Sequence, residues 1–179
     1  KFLQALTSAT LAYVVMAFLM TATPISMHII HNLSLEKTGL VIQFHVLSMF
    51  LPSLFTGNLI KKFGYSKMMY LGVFFYILTI LISLFEPTFF NYLFGLIFLG
   101  IGWNFLFVSG TSLLVTTYKP EEKFKAQGFN DLVVFSATAF SSLSAGILIS
   151  LTSWKTLNLL CIPFLILIIA SIMNAERRN

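Results

Sequence analysis

The chain has 179 residues, of which 58% are hydrophobic, 16% are aromatic and only 9% are charged. Soluble domains carry charge on about 25% of their residues, so this composition excludes an ordinary soluble protein. The net charge of +5 would suggest a nucleic-acid partner in a soluble chain, but we expect none here, because the positions of the basic residues indicate a membrane protein.

Six long apolar stretches are separated by short polar gaps. Each reaches or approaches the length of about 20 residues that a helix needs to cross about 30 Å of hydrocarbon. None has the polar stripe of a soluble amphipathic helix. We therefore predict an all-α membrane protein, formed by a single six-helix transmembrane bundle over residues 1–179. The predicted helices cover about 3–27, 38–60, 68–85, 89–117, 129–151 and 156–173.

The basic residues fall on alternate sides of these stretches. One side, which includes both ends of the chain, holds nine lysines and arginines, whereas the other holds only Lys37 and Lys155. Because basic residues concentrate in cytoplasmic loops, we predict that both termini are cytoplasmic. Since the chain starts at Lys1 rather than at Met, we also expect a segment of a longer protein. The nine residues are Lys1, Lys61, Lys62, Lys67, Lys119, Lys123, Lys125, Arg177 and Arg178.

The first predicted helix offers Tyr13 as a polar side chain for a solute pathway. Near its outer end Pro24 frees a backbone carbonyl, which produces either a hinge or a static kink. His28 and His31 follow one turn apart, but a closed zinc site needs four ligands. We interpret these histidines as interfacial residues and predict no metal site and no cofactor.

Gln43 and His45 lie in the outer half of the second helix, about 200° apart on the helical wheel. They therefore cannot both face one cavity squarely. Gln43 is a candidate substrate contact. His45 either carries a proton near neutral pH or serves as a neutral hydrogen-bonding group.

The third and sixth helices are mostly Leu, Ile and Phe, whereas the other four carry most of the polar side chains. Polar groups in a bilayer face protein or water, so the third and sixth helices are expected to face lipid. Because these two hold corresponding positions in two triplets, the pattern predicts a 3+3 inverted repeat.

Trp103 and Asn104 lie near the middle of the fourth helix. An unpaired amide at this depth is costly, so Asn104 either bonds another helix or contacts substrate in a cavity beside Trp103. In the fifth helix, Asn130 is a candidate N-cap and Asp131 lies in the first turn, where the helix dipole stabilises a carboxylate.

The loop between helices two and three reads GNLIKKFGYSK from Gly57 to Lys67. Gly57, Leu59, Lys62 and Gly64 match the cytoplasmic loop motif of the major facilitator superfamily, which this loop resembles. Lys61 stands where the family usually has aspartate, and the basic positions after the second glycine are lost. Three further segments are similar to bacterial permeases of that superfamily: residues 42–53, 102–111 and 118–131.

The resemblance implies a secondary transporter with twelve helices that works by alternating access, and this chain would be its C-terminal six-helix half. The partners implied are a small-molecule substrate, the lipid bilayer of a bacterial inner membrane and the N-terminal half of the same protein. No carboxylate lies at mid-membrane in this chain. Proton coupling through the other half and uniport both remain open.

The resemblance also implies a cytoplasmic gate. In the family, the cytoplasmic end of the fifth helix of this half meets a loop of the first half when the carrier faces outward. Asp131, beside Asn130, would then bind a basic residue of the other half, and Lys61 and Lys62 in the loop from Gly57 to Gly64 would make the symmetry-related contact.

Two other classes of function compete with a transporter. An intramembrane serine protease is disfavoured, because Ser109 lacks the leading glycine of such proteases and no histidine follows His45. We therefore expect no enzyme. A channel-like or scaffolding membrane protein is the alternative, although no pore ring or re-entrant filter is visible.

Overall fold

The computed structural model describes residues 1–177, so Arg178, one of the nine basic residues above, lies outside the described residues. All regular structure in the described part is helical. In chain order the helices are α1 (Phe2–Pro24, continued by a π-helical turn at Ile25–Ile30), α2 (Leu35–Phe50), α3 (Ser53–Phe63), α4 (Tyr65–Ile82), α5 (Phe89–Val115), α6 (Lys123–Leu151, after a 3-10 turn at Pro120–Glu122), α7 (Trp154–Leu159) and α8 (Ile162–Arg177).

Five helical segments within residues 1–177 are long and apolar enough to cross a membrane by themselves. The pair α2 and α3, which is bent by 41°, makes a sixth span if it is counted as one. The predicted all-α membrane fold is thus confirmed. The five segments are Phe2–Ile30, Tyr65–Ile82, Phe89–Val115, Pro120–Leu151 and Trp154–Arg177.

Several helix boundaries differ from the predicted ones. The second predicted helix is divided at Pro52, because a proline has no N–H to continue the hydrogen-bond ladder. Pro24, in contrast, does not end the first helix, which continues as a π-helical turn to Ile30. The fifth helix begins at Lys123, well before residue 129, because Pro120 starts a short 3-10 turn that leads into it.

Helix α5 lies at the centre of the bundle, and three of its glycines face three different neighbours. A Cβ atom at Gly100 would lie 2.7 Å from a backbone carbonyl oxygen of α2. At Gly102 it would lie 2.9 Å from a carbonyl oxygen of α4, and at Gly110 2.9 Å from one of α1. Small residues allow such backbone contact in membranes, where packing rather than hydrophobic burial holds helices together.

The packing of the spans follows a reciprocal pattern. Helix α5 of the second triplet packs mainly against α1, α2 and α4, while α1 of the first triplet packs mainly against α5, α6 and α8. The second span therefore lies on the fourth rather than on the first, and the fifth span lies on the first. Each triplet thus packs its second helix against the first helix of the other triplet, as a 3+3 inverted repeat predicts.

Helix α6 and the pair α2–α3, like the sixth span, leave much of their surface exposed within this chain. The buried side of α6 is a narrow stripe against α1, formed mainly by Val134, Ser141, Ala145 and Ile149. Its opposite side is rich in exposed Phe and Leu. Apolar content does not distinguish a face for lipid from a face for protein, so the lipid-facing orientation of the third and sixth spans stays a prediction.

Side-chain hydroxyls join the helices to one another through backbone carbonyls. The Ser8 hydroxyl of α1 donates to a carbonyl of α5 at 3.0 Å. Tyr76 of α4 and Ser141 of α6 each donate to a carbonyl of α1 at 2.7 Å. Bonds of this kind contribute about 0.6 kcal/mol each in membrane bundles, so they fix the register of the helices more than they determine total stability.

Asn104 of α5 holds the bend between α2 and α3. Its Nδ2 donates to the Met49 carbonyl at 2.7 Å and to the Ser53 hydroxyl at 2.5 Å, and its Oδ1 accepts from the Thr56 hydroxyl at 2.6 Å. In an unbroken helix the Met49 carbonyl would accept from the N–H of residue 53. The amide therefore replaces a backbone bond at the break that Pro52 introduces.

Replacing Gly100 with Ala tests the close contact of α5 with α2. We expect the thermal midpoint of the protein to fall, since the added Cβ overlaps backbone atoms and overpacking costs about 1–3 kcal/mol. The matched control is Gly146→Ala in α6, where a Cβ meets nothing within 4 Å. Equal midpoints for the two variants in detergent would contradict the contact.

Replacing Asn104 with Leu tests the bend. We expect a loss of about 2–4 kcal/mol in the free energy of unfolding, because at least two buried polar groups lose their partner at about 1–3 kcal/mol each. The same substitution at Asn58, which is exposed on α3, serves as control and should change stability little. Denaturant or thermal unfolding of both variants measures the difference, and a stable Asn104→Leu protein would argue against the clamp.

Candidate solute site and cytoplasmic gate

Five aromatic side chains from four helices meet on one face of the bundle. Trp103 and Phe107 lie one turn apart on α5 and stack with ring centroids 5.1 Å apart and planes inclined by 14°. Tyr13 of α1 stands edge-on to both, at 5.2 Å and 4.9 Å. Phe50 of α2 and Phe135 of α6 complete this aromatic cluster, at 5.9 Å from Trp103 and 6.0 Å from Tyr13 respectively.

The local sequence explains how the rings come together. Residues four apart on a helix share a face, so Trp103 and Phe107 point to the same side of α5. The aromatic quadrupole favours offset stacking and edge-to-face contacts at these separations, which is the geometry that Tyr13 adopts. The cluster is consequently a rigid arrangement of rings from helices that are otherwise joined by backbone contacts.

The aromatic cluster is buried at its centre and open at its edges. Trp103 is only 3% exposed, whereas Phe50 is 60% and Phe135 is 59% exposed. Tyr13 and Phe107 are partly buried. The two exposed rings belong to α2 and α6, the helices that pack on either side of the central pair α5 and α1. Phe50 and Phe135 thus form the exposed edges of the aromatic cluster, on its α2 and α6 sides.

Two polar atoms of the aromatic cluster have no partner within residues 1–177. The buried Trp103 Nε1 has none, and the Tyr13 hydroxyl makes no hydrogen bond there either. Buried donors normally have partners, so an unpaired indole N–H requires an explanation. Both groups can donate a hydrogen bond, and the rings beside them offer flat apolar faces. The arrangement can bind a planar solute that carries acceptor atoms.

Gln43 lies on α2, near the aromatic cluster. It is seven residues from Phe50 on the same side of α2, about 10 Å along the helix axis. Both residues line a shallow cavity of about 440 Å³ whose other contributors are the apolar Ile42, Val46 and Leu47. The side chain is exposed. Gln43 is therefore available for contact from the open face of the bundle.

His45 and Asn104 lie away from the aromatic cluster. His45 is fully buried between α2 and α5, and its Nδ1 donates to the Leu96 carbonyl at 2.8 Å. A carbonyl only accepts, so Nδ1 carries the proton. Asn104 is likewise fully buried and bonded to the bend of the second span. The sequence left open whether Asn104 bonds another helix or contacts substrate, and the structure shows the interhelical hydrogen bond.

Sequence reasoning thus found Tyr13, Trp103 and Gln43 on this face but missed Phe50, Phe107 and Phe135. A signal existed for Phe107, whose spacing from Trp103 places both rings on one side of a helix. Phe50 and Phe135 gave none, because the chain has 20 phenylalanines and their meeting depends on how the helices pack.

The predicted gate residues of the loop lie at the end of α3. Gly64 adopts a φ of +86° between α3 and α4, a conformation that favours glycine. Gly57 lies inside α3, away from this turn. Lys61 and Lys62 are exposed in the last turn of α3, where their charges suit the negative end of the helix dipole.

Asn130 and Asp131 lie about two turns inside α6, so the predicted N-cap at Asn130 is wrong. The reason is that the helix already starts after the 3-10 turn at Pro120–Glu122. Asn130 is buried, and its Nδ2 donates to the Asp131 Oδ1 at 3.1 Å. The Asp131 carboxylate itself is exposed. This bond orients the carboxylate on the open side of α6.

His28 and His31 lie where the first span ends. His28 belongs to the π-helical turn, and its Nδ1 is 2.9 Å from the Leu33 carbonyl. Across residues 1–177 there is no group of three or more His, Cys, Asp or Glu side chains that could hold a metal ion.

Residues 5–178 match the Major Facilitator Superfamily. The Riboflavin transporter RfnT of Brucella anthropi is 38% identical over 173 residues, which cover 97% of this chain and 43% of that protein. Two proteins of Bacillus subtilis, the uncharacterized MFS-type transporters YdeG and YddS, are 33% and 34% identical over 86% and 83% of the chain.

The chain spans less than half the length of each of these relatives, namely 43%, 36% and 34%. The family that the loop motif indicated is confirmed over nearly all of the sequence. The chain is therefore an integral membrane protein that belongs to the Major Facilitator Superfamily.

Proposed function

We propose that the chain is the C-terminal half of a secondary transporter that moves a small solute by alternating access. The observation that carries this proposal is the open face of the bundle, where α2–α3 and α6 flank the aromatic cluster. A second six-helix bundle facing this one would enclose the cluster at the centre of the protein. The lengths of the relatives leave room for such a bundle.

The loop between α3 and α4 supports the assignment to the C-terminal half. It keeps both glycines of the family motif but has Lys61 in place of the usual aspartate, which is the degraded form typical of the second half. On this reading both termini are cytoplasmic, in agreement with the concentration of lysines and arginines at that end. The relatives named above come from bacteria, which favours the bacterial inner membrane.

For the substrate we propose riboflavin or another flat heteroaromatic solute. A relative at 38% identity is named as a riboflavin transporter. The aromatic cluster presents stacking surfaces at Tyr13, Trp103 and Phe107, with free donors beside them. The isoalloxazine ring of a flavin is planar and carries carbonyl acceptors, so it can stack on such rings and accept from the indole and phenol groups.

Proton coupling is not assigned to this half. His45 is the titratable side chain closest to mid-membrane in α2, but it is enclosed between α2 and α5. Its fully buried ring has no contact with the open face of the bundle, where a coupling proton would bind together with the solute. A coupling proton, if the carrier uses one, would therefore bind in the N-terminal half. Uniport is the alternative.

We further propose that Asp131, Lys61 and Lys62 form contacts with the N-terminal half that close the cytoplasmic side. All three side chains are exposed, and Asn130 orients the Asp131 carboxylate. In the proposed topology the end of α3 and the start of α6 lie on the same, cytoplasmic side, so both would meet the other half there. Opening and closing these contacts would accompany each transport cycle.

The substrate proposal is tested by counterflow of radiolabelled riboflavin into proteoliposomes that contain the full-length carrier. Wild-type protein should accumulate label transiently against preloaded riboflavin, which a channel cannot do. Trp103→Leu should raise the half-saturating concentration about tenfold, since the loss of stacking and of a hydrogen bond amounts to about 1.4 kcal/mol. The matched control Trp154→Leu removes the other tryptophan, which packs against Tyr92 rather than against the cluster.

Three outcomes would overturn parts of this proposal. Rapid equilibration of label without transient accumulation would indicate a channel. Accumulation of other solutes but not of riboflavin would support a carrier but exclude riboflavin as its substrate. Equal effects of the two tryptophan substitutions on half-saturation would show that the aromatic cluster does not bind the solute.

The gate proposal predicts that Asp131→Asn shifts the carrier toward its inward-facing state. We expect labelling of Val46→Cys by an impermeant maleimide from outside to decrease about two- to fivefold, the effect of losing about 0.5–1 kcal/mol from an exposed ion pair. Glu121→Gln, an exposed acid in the 3-10 turn before α6, is the control. Unchanged labelling of the Asp131 variant would count against the gate.

A further inference from the structure

A long groove runs along α1 on the side where α6 and α8 diverge. It consists of two cavities of about 700 Å³ and 630 Å³ that share Thr10 and Leu11. We call their union the lateral groove. It lies beside the fifth and sixth spans, whereas the aromatic cluster lies between α1, α2, α5 and α6.

The groove exists because the two triplets pack differently at corresponding places. Helix α4 lies tightly on α5, since Gly72 and Gly102 let the backbones meet: a Cβ at Gly72 would be 2.9 Å from the Gly102 carbonyl oxygen. The corresponding pair is α8 on α1, and neither of these helices contains a glycine. They pack less closely, and space remains between α8, α1 and α6.

The chemistry of the groove changes along its length. The part near the chain termini includes the polar side chains of Lys1, Gln4, Thr7 and Asn174 among apolar ones. The part beyond Thr10 is lined almost entirely by apolar side chains, among them Val14, Phe18, Phe140, Leu148 and Phe164. The groove is thus amphipathic, with a charged residue at one end and an apolar lining at the other.

Thr10 marks the boundary between the two parts. It is buried, and its Oγ1 has no hydrogen-bond partner within the described chain. A hydroxyl left unpaired in hydrocarbon is costly, so a polar atom of a bound molecule at this level would satisfy it. An ester oxygen just below a headgroup is a group of that kind.

We propose that the lateral groove binds one anionic phospholipid, with its phosphate beside Lys1 and Asn174 and one acyl chain beyond Thr10. The length fits: from Gln4 to Phe18 the groove follows α1 for about 21 Å. One leaflet contributes about 15 Å of hydrocarbon, half of about 30 Å. On the topology proposed above, the lipid comes from the cytoplasmic leaflet.

The charges at the polar end favour a negative headgroup. Lys1 lines the groove, and Arg177 follows Asn174 by about one turn at the end of α8. Glu176, the acid of α8, does not line the groove, and its Oε2 accepts from the Tyr70 hydroxyl of α4 at 3.3 Å. Each basic residue near a membrane surface contributes about 1 kcal/mol to the attraction of anionic lipid.

Native mass spectrometry of the full-length carrier tests this proposal. The protein is delipidated in detergent and then incubated with phosphatidylglycerol or phosphatidylethanolamine of identical acyl chains. We expect one retained phosphatidylglycerol per protein at concentrations at which phosphatidylethanolamine is retained about tenfold less. Leu11→Trp, which fills the middle of the groove, should abolish the adduct, while the matched Leu71→Trp on the exposed side of α4 should keep it.

A second pair of variants avoids any risk to folding. Lys1→Gln should reduce phosphatidylglycerol retention several-fold, whereas Lys67→Gln, on the same surface but outside the groove, should not. Equal retention of the two lipids, no retained lipid, or an adduct that survives Leu11→Trp would overturn the proposal. Counterflow of riboflavin, measured on the same preparations, shows independently whether the proposed solute is transported.

Discussion

The close backbone contact of α5 with three neighbours is the constraint on which the rest of the bundle depends. Inside a bilayer, burying apolar side chains between helices brings little gain, because lipid is as apolar as they are. Gly100, Gly102 and Gly110 instead let α2, α4 and α1 approach until their backbones touch. With these distances fixed, hydroxyl-to-carbonyl bonds such as that of Tyr76 with α1 can form, and Trp103 and Phe107 are held rigidly toward Tyr13.

The bend of the second span follows from the same packing. Pro52 interrupts the helix, and the broken backbone would be unsatisfied in hydrocarbon if Asn104 did not reach it from α5. The amide thus resolves a local defect with a long-range contact. The segment α3, which carries Lys61 and Lys62, follows this bend. A residue that resembled a substrate ligand in the sequence therefore positions the proposed gate instead.

The two triplets are equivalent in topology but not in detail. Where the second triplet meets α4 through glycines, α8 stands off α1 and leaves the lateral groove. On the other side of α1, the aromatic cluster opens toward the face that α2–α3 and α6 flank. One helix thus contributes to two different surfaces, one suited to a planar solute and the other to an amphipathic lipid. The distinction arises from small residues, since their presence or absence sets how closely helices approach.

The sequence by itself determined the membrane class, the number of apolar stretches and the family, because hydropathy, charge position and a short loop motif are local properties. It also identified Tyr13 and Trp103. Only the tertiary structure showed that Phe50 and Phe135 join them, that His45 and Asn104 are turned into the α2–α5 contact, and that Asn130 lies inside α6. The physical reason is that an apolar or polar residue in a spanning helix can face lipid, another helix or a cavity, and its neighbours along the chain do not decide which.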